Sequence, residues 1–272
     1  MLCFRPLAVS QHLELTDFNT IKLVVQARFA HGLVVEIQEM PNSKTIFISD
    51  RTKGLLPEQI ILSEHDFEQA FHQNYFLIEL SKVKQFSLKA SLIPPSYQLL
   101  AQKMSVLSDF LNQQKILGLG EMKCLINDPI IKTALTQPEH NASNALGWED
   151  AVKWLIGRGP GSTPSGDDML IGAMCVQYIR LQHVSALWCY FHLHRETYAI
   201  LTTPLSIAYF DCAIQGLFSS RLLQVVKSLF LPTPVTSLLR YLENMTQVGA
   251  HSGIDGLFGV YMALQTDSKE IK

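Results

Sequence analysis

The chain has 272 residues, 47% of them apolar and 17% charged, and its 22 basic and 24 acidic residues give a formal net charge of −2. That composition excludes a disordered chain, and the length leaves room for one large domain or two smaller ones. The near-neutral balance, with no basic run and no aromatic–basic stripe, excludes a dedicated nucleic-acid binder.

In chain order, the opening MLCFRPLAVSQHLEL reaches His12 and Glu14 before any long apolar region develops, so no secretory signal is read there. From Ile21 to about Ala90 the pattern favours strands. IKLVVQARF, LVVEIQEM and TIFISD are runs of Val, Ile and Phe parted by turn-like pairs at 31–32 and 41–43, and YFLIEL and VKQFSLKA add two more. Between them ILSEHDFEQAFHQ reads as a short helix with Ser63 as its N-cap and Asp66 three residues on. Short strands with tight turns predict a small antiparallel sheet or open barrel.

After Pro94-Pro95 the period changes. Leu99, Leu100, Met104, Leu107, Phe110 and Leu111 fall at helical spacing, and GWEDAVKWLI predicts a helix ending before Gly157. Further helices follow in RLLQVVKSLF, TPVTSLLRYLENM and GIDGLFGVYMALQ, and the Thr-Pro pairs at 203–204 and 233–234 predict an N-cap followed by the first helical residue. The predicted class is α+β: residues 1–93 form a β-rich region packed on a larger, mainly helical region, 94–272. The apolar run around Met169–Val176 is too short to span a bilayer. Five cysteines (Cys3, Cys124, Cys175, Cys189, Cys212) never form C-x-x-C and read as reduced, mostly buried thiols of a cytoplasmic, membrane-free protein.

One stretch asks for more than a fold. GRGPGSTPSGDDML, 157–170, sets Gly157, Gly159 and Gly161 ahead of a helix start at Ser165-Gly166-Asp167-Asp168. Ser165 and Asp168 match a capping box, in which the serine oxygen accepts a backbone N–H and the acid reaches back. Capping leaves the glycines and Asp167 unexplained. Glycines permit positive φ and close approach to the backbone, and N–H groups at a helix start attract anions, so the loop reads as an anion site with Arg158 and Thr163 in it. Paired carboxylates also suit a divalent metal. There is no G-K-[ST], and a helix rather than a strand precedes the loop, which excludes a Walker A loop and the dinucleotide fingerprint.

A fainter copy lies in GAHSGIDGLFG, 249–259. Ser165, Gly166, Asp168, Leu170 and Gly172 match Ser252, Gly253, Asp255, Leu257 and Gly259, all at an offset of 87 residues. Two helix starts facing one cavity would gather Asp167, Asp168 and Asp255 near His251; two independent capping boxes are the plainer alternative. The expected catalytic set is Asp167, Asp168 and His251. The expected ligand-binding set is Gly157, Arg158, Gly159, Gly161, Thr163, Ser165, Gly166, Ser252, Gly253 and Asp255. Asp167, Asp168 and Asp255 are the ligands if a metal such as Mg²⁺ is held.

GRGPGSTPSGDD, TTPLSIAYFDCAIQG and VGAHSGIDGLFG together resemble the AllH-type family over most of residues 145–265, with Ser162 where the family pattern has leucine. The resemblance implies a subunit of an oxamate carbamoyltransferase in anaerobic allantoin breakdown. Such an enzyme interconverts oxalurate plus phosphate with oxamate plus carbamoyl phosphate, alongside two partner subunits. A small anion then fits the loop, with its N–H groups aimed at developing charge and His251 moving a proton. The resemblance assigns no catalytic residue. An interaction subunit without chemistry and a divalent-metal hydrolase are the alternatives. His192 and His194, two apart on a helix, point to different sides and do not share a metal. Cys175 and Cys212 read as core thiols, and without G-x-S-x-G Ser252 is no hydrolase nucleophile. Ser206, Tyr209 and Gln215 fit a cavity wall or an ordinary amphipathic helix.

Overall fold

A computed structural model describes residues 1–15, 18–29, 32–38, 44–50, 54–94, 97–114, 117–136, 147–181 and 185–265, without the side chains of residues 97 and 98. His31 and the predicted turn at 41–43 lie outside them. The chain divides into two compact units, Met1–Leu88 and Lys89–Lys272.

The described residues of the first unit form a curled sheet of eight strands: β1 (Cys3–Phe4), β2 (Ala8–Ser10), β3 (Thr20–Phe29), β4 (Gly32–Ile37), β5 (Lys44–Ser49), β6 (Gln59–Ile61), β7 (Tyr75–Glu79) and β8 (Lys84–Phe86). Their order is β1-β7-β3-β4-β5-β6-β2-β8. The long predicted strands pair antiparallel, as β7-β3-β4-β5, in registers such as Leu23↔Ile37 and Val35↔Ile46 that stack Ile21, Leu23, Leu33, Val35, Ile37, Ile46 and Ile48 in one core. That alternation is the period-two signature of a sheet with one buried face. β1–β7, β5–β6 and β2–β8 are parallel, so the sheet is mixed. Helix α1 (Glu64–Phe71) starts as expected, with the Ser63 hydroxyl accepting from Asp66 N at 3.1 Å. Glu58, nearly buried, is matched by Lys44 at 2.7 Å.

The second unit is helical: α2 (Tyr97–Gln113), α3 (Met122–Leu125), α4 (Pro129–Leu135), α5 (Trp148–Leu155), α6 (Ser165–Leu181), α7 (Ala186–Leu193), α8 (Arg195–Ala199), α9 (Pro204–Ile214), α10 (Ser220–Phe230), α11 (Val235–Thr246) and α12 (Ser252–Leu264). The end of the predicted 83–90 strand belongs here, where Ala90 N donates to Gly216 O at 2.7 Å. Thr203 caps α9 ahead of Pro204, as predicted. Thr233 does not cap α11: Pro234 itself is extended at the N-cap position, so that helix begins one residue later.

α6 and α12 form the centre of the unit and are buried almost all round. They cross where a glycine of one helix lies against the backbone of the other. A Cβ on Gly172 would lie 2.1 Å from Gly256 O, and one on Gly259 would lie 1.9 Å from Met169 O. Among the described residues no helix is long and apolar enough to cross a membrane. Of the cysteines, Cys175 and Cys212 are buried, but Cys3, Cys124 and Cys189 are exposed, which corrects the expectation of mostly buried thiols. Cys3 sits on edge strand β1, and Cys189 on the outer face of α7.

Candidate functional site

After α5 ends at Leu155 the chain turns through Gly157 (φ 73°), Gly159 (φ 102°) and Gly161 (φ 101°) before α6 begins. Gly157 is required twice over, because its φ is left-handed and a Cβ there would lie 2.0 Å from Leu201 O. Asp167 locks this turn. Its Oδ1 accepts from Gly157 N at 2.8 Å and its Oδ2 accepts from the Thr202 hydroxyl, with Ser206 also close. Thr203 Oγ1 donates to Ser162 O at 2.6 Å, so the segment before α9 clamps the loop from the other side. Residues 158–162 face solvent. Arg158 lies over the Trp154 ring, 4.9 Å from its centroid, and its Nε donates to Trp154 O at 3.0 Å.

Neither serine caps its helix. Ser165 is the first residue of α6, and Pro164 O accepts from Asp167 N and Asp168 N at 2.9 and 3.2 Å. Ser252 is the first residue of α12, with His251 at the N-cap and no side-chain cap bond. The capping-box expectation is therefore overturned. The hydroxyls turn across to the other helix instead: Ser165 acts on Asp255, and Ser252 acts on Asp168 and bonds Thr163 Oγ1 at 3.0 Å. Thr163 Oγ1 also donates to Asp168 Oδ2 at 3.1 Å.

The exchange is reciprocal because the two helix starts are one pattern used twice. Gly172 meets Gly256 O and Gly259 meets Met169 O, each a pair of partners with its mate 87 residues away. Behind them, Gly166 packs on Leu155 O at the end of α5, and Gly253 on Met245 O near the end of α11. α5–α6 and α11–α12 thus repeat one helix–loop–helix, with the first loop the longer.

Three carboxyls lie in or beside this junction. Asp167 and Asp255 are both 0% exposed, while Asp168 stays partly open. Asp255 Oδ1 accepts from Gly118 N at 2.9 Å, and a Cβ on Gly118 would collide with Ser165 Oγ at 1.8 Å. Burial lifts all three above the ordinary carboxylate range. Asp167 is drawn back by Thr202, Gly157 and Ser206; Asp255 by Gly118, Ser165 and the charge of His251. Asp168 is raised well above that range: burial outweighs its hydroxyl neighbours, and the charges of Asp255 and Asp167 add to it. Each carboxyl binds its proton more tightly in the folded chain than in the unfolded one. Their contribution is therefore most favourable below about pH 4 and is lost as pH rises through each folded-state pKa. Asp168→Asn is expected to gain stability relative to the parent chain as pH is raised from about 5 to about 8. Urea unfolding at the two pH values measures it, and an unchanged difference would contradict the raised Asp168.

The helix starts do come together, joining Asp168, Asp255, Ser165, Ser252 and Thr163, with His251 beside Asp255. Asp167 faces away, toward Gly157 and Thr202. Among the described residues no group of three or more His, Cys, Asp and Glu side chains is placed to hold a metal ion. The three aspartates are instead divided among backbone N–H and hydroxyl partners. His192 stacks on Trp188 at 4.7 Å, while His194 Nδ1 pairs with Tyr190 O at 2.9 Å, so the two histidines serve separate contacts. Ser206 lies by Asp167 and Tyr209 by Asp168, the Tyr209 phenol being raised by burial and then by Asp168, whereas the Gln215 side chain donates back to Asp211 O at 3.1 Å on its own helix. Gly118 and Thr202 escaped the sequence reading; the Gly118-Leu119-Gly120 pairing was the available sign of close approach.

Residues 155–264 match the AllH family model. That model is described as oxamate carbamoyltransferase subunit AllH. The AllH match spans the glycine loop, the α9 start and the α12 start, so every predicted site residue lies within it, while Gly118 lies outside. No solved structure matches the chain.

Proposed function

We propose that the chain is a subunit of an oxamate carbamoyltransferase-like enzyme and that its glycine loop holds a small anion such as phosphate, carbamoyl phosphate, oxamate or oxalurate. One observation carries this reading: within the AllH-matching segment, Gly159, Gly161 and Ser162 are exposed at the start of α6, and no hydrogen bond among the described residues takes up their N–H groups. Unspent N–H groups at the positive end of a 17-residue helix attract an anion. Arg158 is exposed beside them and stacked on Trp154, and among the described residues its guanidinium hydrogen-bonds through Nε alone, so its remaining N–H groups can reach a carboxylate or phosphate. Asp167 and Thr203 anchor the loop at Gly157 and Ser162, which suits stabilisation of charge on a carbonyl or phosphoryl oxygen during carbamoyl transfer.

Calorimetric titration with phosphate, carbamoyl phosphate and oxamate, for the chain alone and with co-expressed partner subunits, tests the assignment. Saturation is expected with at least one of them, raising stability by about 2.7 kcal/mol at a hundredfold excess over Kd. No heat and no thermal shift with any of the three, with or without partners, defeats it.

A further inference from the structure

We infer that a partner subunit docks on the apolar side chains flanking the glycine loop, Trp154, Leu193 and Ile200, and that it closes over residues 158–162. This rests on the subunit reading above and deepens it.

The patch follows from how two short helices bury. On α7 and α8, Phe191 and Tyr198 turn inward, packing on each other and on Phe210 of α9. Two places further along a helical turn a side chain points to another side. Leu193 and Ile200 stand two places further along, and they are left 72% and 84% exposed. Trp154 on α5 is 37% exposed and carries the Arg158 guanidinium over its ring. Single exposed apolar side chains are ordinary on any surface. These lie along the two chain segments that hold one loop. Ile200 leads into Leu201, whose carbonyl closes on Gly157, and then into Thr202 and Thr203, which bond Asp167 and Ser162 O. Trp154 stands three residues before Gly157.

Two observations say what covers the patch. The first is the openness of the site. Residues 158–162 face solvent, whereas transfer of an activated carbamoyl group calls for water to be shut out. The second is the make-up of the patch. Tryptophan and arginine are the side chains most enriched where proteins bind one another, and a small anion makes no use of Leu193 or Ile200. Lys153 is exposed on α5 and makes no ion pair among the described residues, so an acid at the rim of the docked surface complements it. A second copy of this chain fits less well. An isologous contact through this patch would bring the Lys153 and Arg158 cations of both copies to one interface. The occupant is a different protein surface, apolar at its centre and acidic at its edge. Arg158 stays available to the anion, which is then enclosed between the two subunits.

The test is assembly of the tagged chain with the other subunits of its own enzyme, co-expressed and purified together. Titration calorimetry and analytical ultracentrifugation compare the parent, Ile200→Glu, Leu193→Glu, Ile200→Leu and, on a helix away from the patch, Leu239→Glu. Each glutamate in the patch is expected to weaken assembly by about a hundredfold. Ile200→Leu and Leu239→Glu are expected to stay within a few-fold of the parent. Amide exchange supplies a second reading: residues 159–162 are expected to exchange fast in the free chain and slowly in the complex. Circular dichroism checks folding, and either glutamate variant decides the matter if the other fails to fold. Glutamate variants that assemble like the parent, a Leu239→Glu as weak as they are, or loop amides equally fast in the complex overturn the inference and leave the anion site standing. So does a dimer of the parent chain alone that Ile200→Glu dissociates, since the patch then belongs to a second copy. A parent chain that joins none of the other subunits overturns the subunit reading as well, while its titration with phosphate, carbamoyl phosphate and oxamate judges the loop separately.

Discussion

Gly259→Ala is expected to destabilise the protein by about 3 kcal/mol, the upper end of what overpacking a tight core costs. The added methyl would lie 1.9 Å from Met169 O, 2.7 Å from Met169 C and 2.8 Å from Met169 Cα. All three atoms are backbone, so no side chain can swing aside, and α6 and α12 would have to separate along their crossing. Gly172→Ala meets Gly256 O in the mirrored position and is expected to behave alike. Gly256→Ala is the internal control. Its methyl would find nothing nearer than 3.7 Å, and alanine is the better helix former, so a gain of up to about 1 kcal/mol is expected. Urea unfolding of the three variants measures this. Equal midpoints for Gly259→Ala and Gly256→Ala would mean that the helices do not cross this closely.

Asp167→Ala comes next in size, at about 2–3 kcal/mol, because it leaves the Gly157 N–H and the Thr202 hydroxyl without their acceptor in a sealed place. The same change frees the loop from α6, so anion affinity is expected to fall with stability. Asp167→Asn is expected to recover most of both, since an amide oxygen still accepts from Gly157 N–H. Denaturation midpoints and limited proteolysis at residues 158–163 report on the two effects. An alanine variant with the parent midpoint and the parent cleavage rate would show that Asp167 does not anchor the loop.

How far each feature was legible follows from the range over which its cause acts. The strands at 20–29 and 75–79 and the helix at 97–113 announce themselves by period, since neighbours two or four residues apart share a face. β1, β2 and β6, at two or three residues each, are too short to carry a period and exist because neighbouring strands of the sheet pair with them. The glycine loop was legible as a place of unusual backbone, and Gly157, Gly159 and Gly161 all adopt positive φ. The offset of 87 residues between the two S-G-x-D segments was legible too.

What those serines do was not. A Ser three residues before an Asp describes a local cap, and nothing nearby in the chain says that a better partner lies across a helix crossing. Close approach of Gly172 and Gly259 brings each serine to the other copy's aspartate, and Pro164 O takes over the start of α6. The same packing separates three similar carboxyls: Asp167 turns to its own loop, Asp255 is closed over by Gly118, and Asp168 is left among hydroxyls at the open side. By itself, then, the sequence determined the strand-rich and helical halves, the loop and its echo. Which hydroxyl meets which acid was decided only in three dimensions, because a hydrogen bond acts over about 3 Å of space whatever the distance along the chain.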